Sequence, residues 1–514
     1  MRNTVNLLVV LSLTAAIGFG AAGGVAAQGS ETVAIAQGAD IETGDPHASF
    51  SIHTQNVLIN LYDQLIARDA SLRLKPGLAL SWRIVDPTTW EFDLRRGVVF
   101  HNGEPFNAQA VKFSFERMLD PTARLRLAQF FKLVKGVTVV DDYRVRIHTE
   151  RPWPMLAATV GRYGFIVPPR YVAQNGPQAL VRQPVGTGPY RFVRWVKDSR
   201  VELEANNRYW GGAPSIKRVV VKIVASESSR LAELLSGSSH LINLIPPEVF
   251  GPISRSRNAK LAPADSASIF FVLLNLVNLP KERPLADRRV RQALNYAVDR
   301  DAMIKSIMHG IGDPVGTFCT AASVGCDASV TPFPHSPERA RALLREAGYA
   351  GGFDMTVATP SGAYPGDRDL TLAVADQLNR VGVRAAVHVD DYAVNLRMVI
   401  EKKLPQEATF IRITDHVGYA AVIGFSGFHS TRGIVPLWVP GNREFERLLE
   451  TAEETLDDAR AKDLYRRAQL LFREEAPAIP LFTAPNVYGL HRDLEWTPRR
   501  DFLLTMFDAT WKRR

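Results

Sequence analysis

Residues 184–212 read PVGTGPYRFVRWVKDSRVELEANNRYWGG. Gly186 and Gly188 bracket Thr187, and Pro189 fixes φ, so the stretch opens on a tight turn that residues with a Cβ would strain. Tyr190 and Phe192, then Val201 and Leu203 after a turn at Lys197–Asp198, stand at strand-like alternation. Asn206–Asn207 and Gly211–Gly212 close the unit. Taken alone, this is a turn and a strand pair that needs no ligand.

Working outward, Thr32–Ala36 is a short apolar strand, and Val57, Leu58, Leu61 and Leu65 predict a helix over 54–67. Trp90, Phe92 and Leu94 alternate with Glu91, Asp93 and Arg95; Tyr143, Val145 and Ile147 alternate behind a hairpin turn at Asp141–Asp142. Between them Asn107 caps a helix running to Leu119. Further on, Ser336-Pro337 starts a helix that Gly348 stops, and a second one spans Asp458 to Glu475. These signals predict a mixed α/β fold without repeats or low-complexity tracts.

At 514 residues, 46% hydrophobic and 22% charged, the chain is long enough for two or three domains with a large core. Arg2, the apolar run Leu7–Ala22 and the small residues Val25-Ala26-Ala27 read as a secretory leader over residues 1–27, cleaved before Gln28. No cysteine lies near that point, so a freely soluble periplasmic protein is expected rather than a lipid-anchored one. The net charge of +9 falls by one when Arg2 leaves, and its basic residues are scattered. That argues against nucleic acid and leaves two readings, a basic but unspecialised surface or a field that favours anionic solutes.

The two cysteines, Cys319 and Cys326, are expected to form a disulfide in an oxidising envelope, because zinc needs about four ligands and no matching His/Cys set lies nearby. No metal site or cofactor is expected. Nucleophile elbow, H-E-x-x-H and Walker patterns are all missing; Gly424-Phe425-Ser426-Gly427 fails the elbow by one position. The chain reads as a binder and not an enzyme.

Three further segments stand in order around the opening stretch: WEFDLRRGVVFHNGEPF at 90–106, RVRQALNYAVDRD at 289–301 and EAPAIPLFTAPNVY at 475–488. Together, from about Thr32 to about Leu490, the four resemble the extracytoplasmic solute-binding proteins of the peptide and nickel class, family 5, which serve ABC importers. The resemblance implies a two-lobed periplasmic-binding-protein-like fold of cluster C type, with an extra subdomain and a central ligand cleft. It implies lobe I from 28–57, 186–268 and 481–514, the extra subdomain at 58–185, and lobe II at 269–480. Chain crossings then fall near Ala264–Ile269 and Ile479–Leu481. The implied partners are membrane permeases with their ATPases, for a protein that is itself a monomer.

By the same resemblance, ligand contacts fall near Phe50, near Asn275 and in the stretch 410–432, FIRITDHVGYAAVIGFSGFHSTR. Peptide binders of this family carry a Trp with a nearby Asp there, the carboxylate holding the α-ammonium group. Here Arg412 and Ile413 stand near the aromatic position, and Asp415 is the nearby acid. Arg412 and Arg432 offer planar forks for a carboxylate or phosphate. Tyr419, Phe425 and Phe428 are candidates for an apolar pocket wall. The ligand expectations are therefore a short peptide, another anionic solute, or, through His416 and His429, a metal chelate; an envelope hydrolase or a chaperone-like protein on the same fold are the alternatives.

Overall fold

Every position of Ser268–Leu274, SIFFVLL, is buried, the pattern of a strand covered on both faces. In the computed structural model, which describes residues 31–484 and 486–512, it lies in a five-stranded sheet. The order is Arg384–Asp390, Asp354–Pro360, Ala408–Thr414, Ser268–Leu274, Ala478–Thr483. A seven-stranded sheet runs Ala259–Ala264, Asn486–His491, Leu241–Ile242, Thr32–Gln37, Arg218–Ile223, Arg200–Ala205, Tyr190–Val196. Within it Thr32–Gln37 pairs parallel with both neighbours. A separate antiparallel sheet of four strands occupies Ala79–Thr149, inside the stretch 58–185. The expected leader lies outside the described residues.

Consecutive strands assigned to different large sheets locate the crossings. Ala259–Ala264 and Ser268–Leu274 place the first between Ala264 and Ser268; Ala478–Thr483 and Asn486–His491 place the second between Thr483 and Asn486. The second therefore falls later than Ile479–Leu481, because Ile479 and Pro480 stay paired with Val272 and Phe271 of the five-stranded sheet. That moves the boundary expected at 480/481 beyond Thr483.

Most predicted elements stand where expected. Asn107 caps Ala108–Leu119 by accepting from the Gln109 and Ala110 N–H groups, and Ser336 caps Pro337–Glu346 with proline in the first turn. The helix expected over 54–67 instead spans Ile52–Leu61, and Tyr62 is already extended. Its ending explains the Gly-Thr-Gly turn. Neither Gly186 nor Gly188 adopts a positive φ; both are required by close approach. A Cβ on Gly186 would overlap the Leu61 carbonyl, and one on Gly188 would come within 2.6 Å of the same group. The Gly188 N–H donates to Leu61 O at 3.0 Å. Thr187 Oγ1, Tyr209 Oη and Trp210 Nε1 donate to Asp63 at 2.9, 2.9 and 2.8 Å. The turn clamps the C-terminus of a helix.

In the five-stranded half, Cys319 and Cys326 form a disulfide. The loop it closes holds Ser323, whose Oγ donates to Asp415 Oδ2 at 2.6 Å. Among the described residues, no helix is long and apolar enough to cross a membrane.

Gly186→Ala is expected to destabilise the protein by about 2 kcal/mol or more, since a backbone carbonyl cannot yield as a side chain can. Gly136→Ala, where a Cβ meets nothing within 4 Å, should stay within about 0.5 kcal/mol. Denaturant midpoints of the two variants check the contrast.

Candidate functional site

Both large sheets contribute to a cavity of about 440 Å³. Gly38 and Ala39, just past the strand Thr32–Gln37, line it from one side together with His53 and Asn243. The loop 362–369, after the strand Asp354–Pro360, and Arg412 line it from the other. The cleft therefore sits at strand ends of both halves.

Arg412 lies on Ala408–Thr414, opposite Phe270 of the neighbouring strand. Its guanidinium is sandwiched 5.1 Å from the Tyr364 ring of its own half and 5.1 Å from Phe502 of the other. Among the described residues no carboxylate stands within ion-pair distance, and no carbonyl accepts from its side chain. Burial lowers its pKa, while Tyr364 and Tyr392 act the other way; at its high intrinsic value the group remains charged.

A second arginine explains why this matters. Arg300 is buried without a carboxylate, and it donates to Pro480 O, Asn295 O, Val298 O, Phe333 O and Asn295 Oδ1. Its role is structural. Arg412 has no such cage. Arg412 is partly exposed at the cleft wall, so its guanidinium is free to form charge-assisted hydrogen bonds to an anionic group there.

Arg162 is the other under-partnered guanidinium. It is 2% exposed, its Nη1 reaches only the neutral Gln55 Oε1 at 3.4 Å, and its Nε has no partner in the protein. It lies 4.8 Å from the Tyr163 ring centroid. Phe130 stacks on that ring at 4.0 Å and Phe50 meets Phe130 edge-on. Phe50, 44% exposed, is thus the outer end of an aromatic row leading to Arg162.

Between the two arginines stands His416. The residue is exposed yet its ring is crowded by protein; burial, then the charges of Arg162, Arg412 and Arg68, hold its pKa at about 3. The imidazole is neutral at physiological pH. Its backbone carbonyl accepts from Arg68 Nη1 at 3.1 Å, joining the halves. Arg68 and Arg499 share Asp501 at 2.9 and 2.8 Å. Burial alone would raise that carboxyl, but Arg499 and Arg68 outweigh it and hold it well below the usual range. One carboxylate thus serves two guanidiniums, and Arg162 and Arg412 are left over.

Other sequence candidates fall elsewhere. Asn275 donates to Leu404 O and Gln406 O, beyond the end of Ser268–Leu274 remote from the crossing; it pins a loop instead of facing the cleft. Phe428, 1% exposed, packs on Phe271 and Phe472 in the core. Phe425 lies beneath the Arg432 guanidinium at 3.9 Å. Arg432 itself pairs with Glu453 at 2.9 Å, which Arg151 of the four-stranded region also reaches at 3.0 Å. Its charge is already met. Tyr419 starts the helix Ala420–Phe428 and bridges Val324.

Asp415, 1% exposed, accepts from Ser323 Oγ, Val417 N and Gly418 N, so it organises its own loop and is not free for an ammonium group. His429 bonds Glu450 at 3.1 Å, away from His416, and the two histidines are not brought together. Sequence reasoning missed Arg162, Asn243, Tyr364 and Phe502, since nothing local marks them.

The match to known proteins agrees with this architecture. Residues 73–408 fit the model of the bacterial extracellular solute-binding proteins, family 5. The chain belongs to that family. It is 28% identical over 481 residues to the glutathione-binding protein GsiB of Escherichia coli strain K12, covering 90% of this chain and 91% of the relative. Among solved structures it resembles the ABC transporter substrate-binding protein CtaP of Listeria monocytogenes, at TM-score 0.85 and 19% identity over 94% of this chain and 99% of that one. It also resembles the periplasmic binding protein DppA of Helicobacter pylori in complex with the peptide STSA, at TM-score 0.76 and 23% identity over 94% and 98%. The fold is the two-lobed one of this family.

Asp501→Asn is expected to cost about 3–5 kcal/mol at neutral pH, because two buried guanidiniums lose their shared charge partner. A depressed carboxyl stabilises above its unfolded pKa and loses that contribution as pH falls. The gap between variant and wild type should therefore narrow below about pH 4, read from urea midpoints across a pH series.

Proposed function

We propose that this family member is the periplasmic capture subunit of an ABC importer, that it binds a small solute carrying at least one anionic group between its lobes, and that it works by binding without turnover. The observation that carries the reading is Arg412, a guanidinium in the cleft wall with neither a carboxylate nor a carbonyl partner among the described residues. Arg162 supports it as a second uncompensated charge. The name of the curated relative fits, since glutathione carries two carboxylates. The bound solute would bridge Arg412 of one lobe and Phe502 of the other, and so favour the closed arrangement.

Arg412→Ala is expected to cost about 2–5 kcal/mol in ligand binding by leaving an anion unpaired, whereas Arg432→Ala should bind as wild type because its partner is Glu453. Native mass spectrometry of protein purified without refolding identifies the co-purifying solute, and titration calorimetry with it gives both affinities. Small-angle scattering should show a smaller radius of gyration with the solute bound. A neutral sugar or a bare metal ion as the solute, or wild-type affinity in Arg412→Ala, overturns the reading.

A further inference from the structure

Glu453 and Glu454 close the helix Arg443–Glu454, whose last turn holds no basic residue. Carboxylates at a helix C-terminus meet the negative end of its dipole, so two in succession are unfavourable by local rules. A local conflict of that kind points to partners brought from elsewhere in the chain. Arg432, of the same half, makes two contacts to Glu453, at 3.1 and 2.9 Å. Arg151 makes the others: its Nη2 donates to Glu453 Oε2 at 3.0 Å, and its Nη1 pairs with Glu454 Oε1.

Arg151 does not belong to that half. It follows the strand Arg144–Thr149 of the four-stranded sheet, a region tied to the seven-stranded half where the His101 N–H donates to Gly186 O at 2.8 Å. The root of the side chain is fixed. The Thr149 N–H donates to Thr88 O at 2.8 Å, Thr149 Oγ1 donates to the Arg151 carbonyl at 2.7 Å, and Trp153 just beyond is buried. The ion pairs of Arg151 therefore join two halves that the crossings leave free to rotate.

We propose that Arg151 with Glu453 and Glu454 forms an electrostatic latch that holds the two halves together by itself, so that a closed population exists before any solute arrives. The side chains of Arg151 and Glu454 are 32% and 41% exposed, so water solvates both once they part. Glu453, 7% exposed, keeps Arg432, which moves with it, and opening strands no buried carboxylate. Arg432 is paired in either arrangement and biases neither. Partly exposed pairs of this kind contribute modestly and are screened by salt, which makes the link reversible. It acts whatever the chemistry of the solute.

Single-molecule energy transfer on the full mature protein, dialysed free of solute, tests the latch. Dyes go on Lys135→Cys and Lys462→Cys, both exposed positions and one on each half; the native cysteines are held in their disulfide. From about 0.01 M to about 1 M salt the Debye length shrinks from about 30 Å to about 3 Å, and the high-transfer, closed population should fall with it. Arg151→Gln should lower the closed-to-open ratio about threefold or more at low salt and remove its salt dependence. Glu454→Gln should do part of the same, and Arg151→Gln should have a smaller effect in that background. Melting temperatures of the variants should stay near that of wild type, because neither core is touched.

A wild-type protein that is open at every salt concentration overturns the latch, as does a ratio that Arg151→Gln leaves unmoved. A lowered melting temperature with an unmoved ratio marks the pairs as structural and overturns it too. No solute enters the measurement, so each outcome bears on the latch alone and leaves the anion reading to its own test.

Discussion

Two short crossings, between Ala264 and Ser268 and between Thr483 and Asn486, carry the chain between the large sheets, and the architecture depends on how they are held. The Asp415 N–H donates to Ala267 O at 2.7 Å, and the Ala484 N–H donates to Ser268 O at 2.9 Å. Each crossing is thereby fastened to the sheet edge beside it. Short connections anchored in this way permit rotation of one half against the other more readily than sliding, the mechanics of a hinge. Away from the crossings the halves meet through polar and ring contacts such as Arg68 with the His416 carbonyl and Phe502 with Arg412. These are contacts that rotation can break without disturbing either core.

The charges of the interior separate into those the protein satisfies and those it does not. Arg68, Arg499 and Asp501 form a closed network, Arg300 is caged by carbonyls, and Arg432 pairs with Glu453. Arg412, which lines the cleft, and Arg162, which reaches only Gln55, have no carboxylate partner among the described residues. A cation held by ring faces is stabilised only partly, and the proposal of an anionic solute rests on that. Asp415 illustrates the opposite outcome: an acid close in sequence to that wall is spent on its own turn, held by a disulfide-closed loop.

Legibility in the sequence followed the range of the interactions involved. Helix caps at Asn107 and Ser336, the Asp141–Asp142 hairpin turn and the long helix Asp458–Glu475 all appeared as read, because caps, turns and amphipathic spacing are settled within a few residues. The helix 54–67 was overextended because its end at Leu61 is imposed by Gly186 and Gly188, more than a hundred residues away. The turn itself was recognised for its glycines, but their reason is contact with that helix and not backbone handedness.

By itself, the sequence determined the fold class, the family and the positively biased character of the protein, since alternation, spacing and segment order survive in one dimension. It also brought Arg412 forward, through a guanidinium standing where an aromatic was expected. Tertiary structure alone decided which of the two candidate arginines is uncompensated, that Asn275 and Phe428 serve the scaffold, and that Asn243 is buried without a partner. Compensation is a property of neighbours within a few ångströms, and here Arg412, Phe502 and Asn243, which line one recess, come from three distant stretches. No local pattern encodes that meeting, because it is the packing of two sheets across two crossings that brings them together.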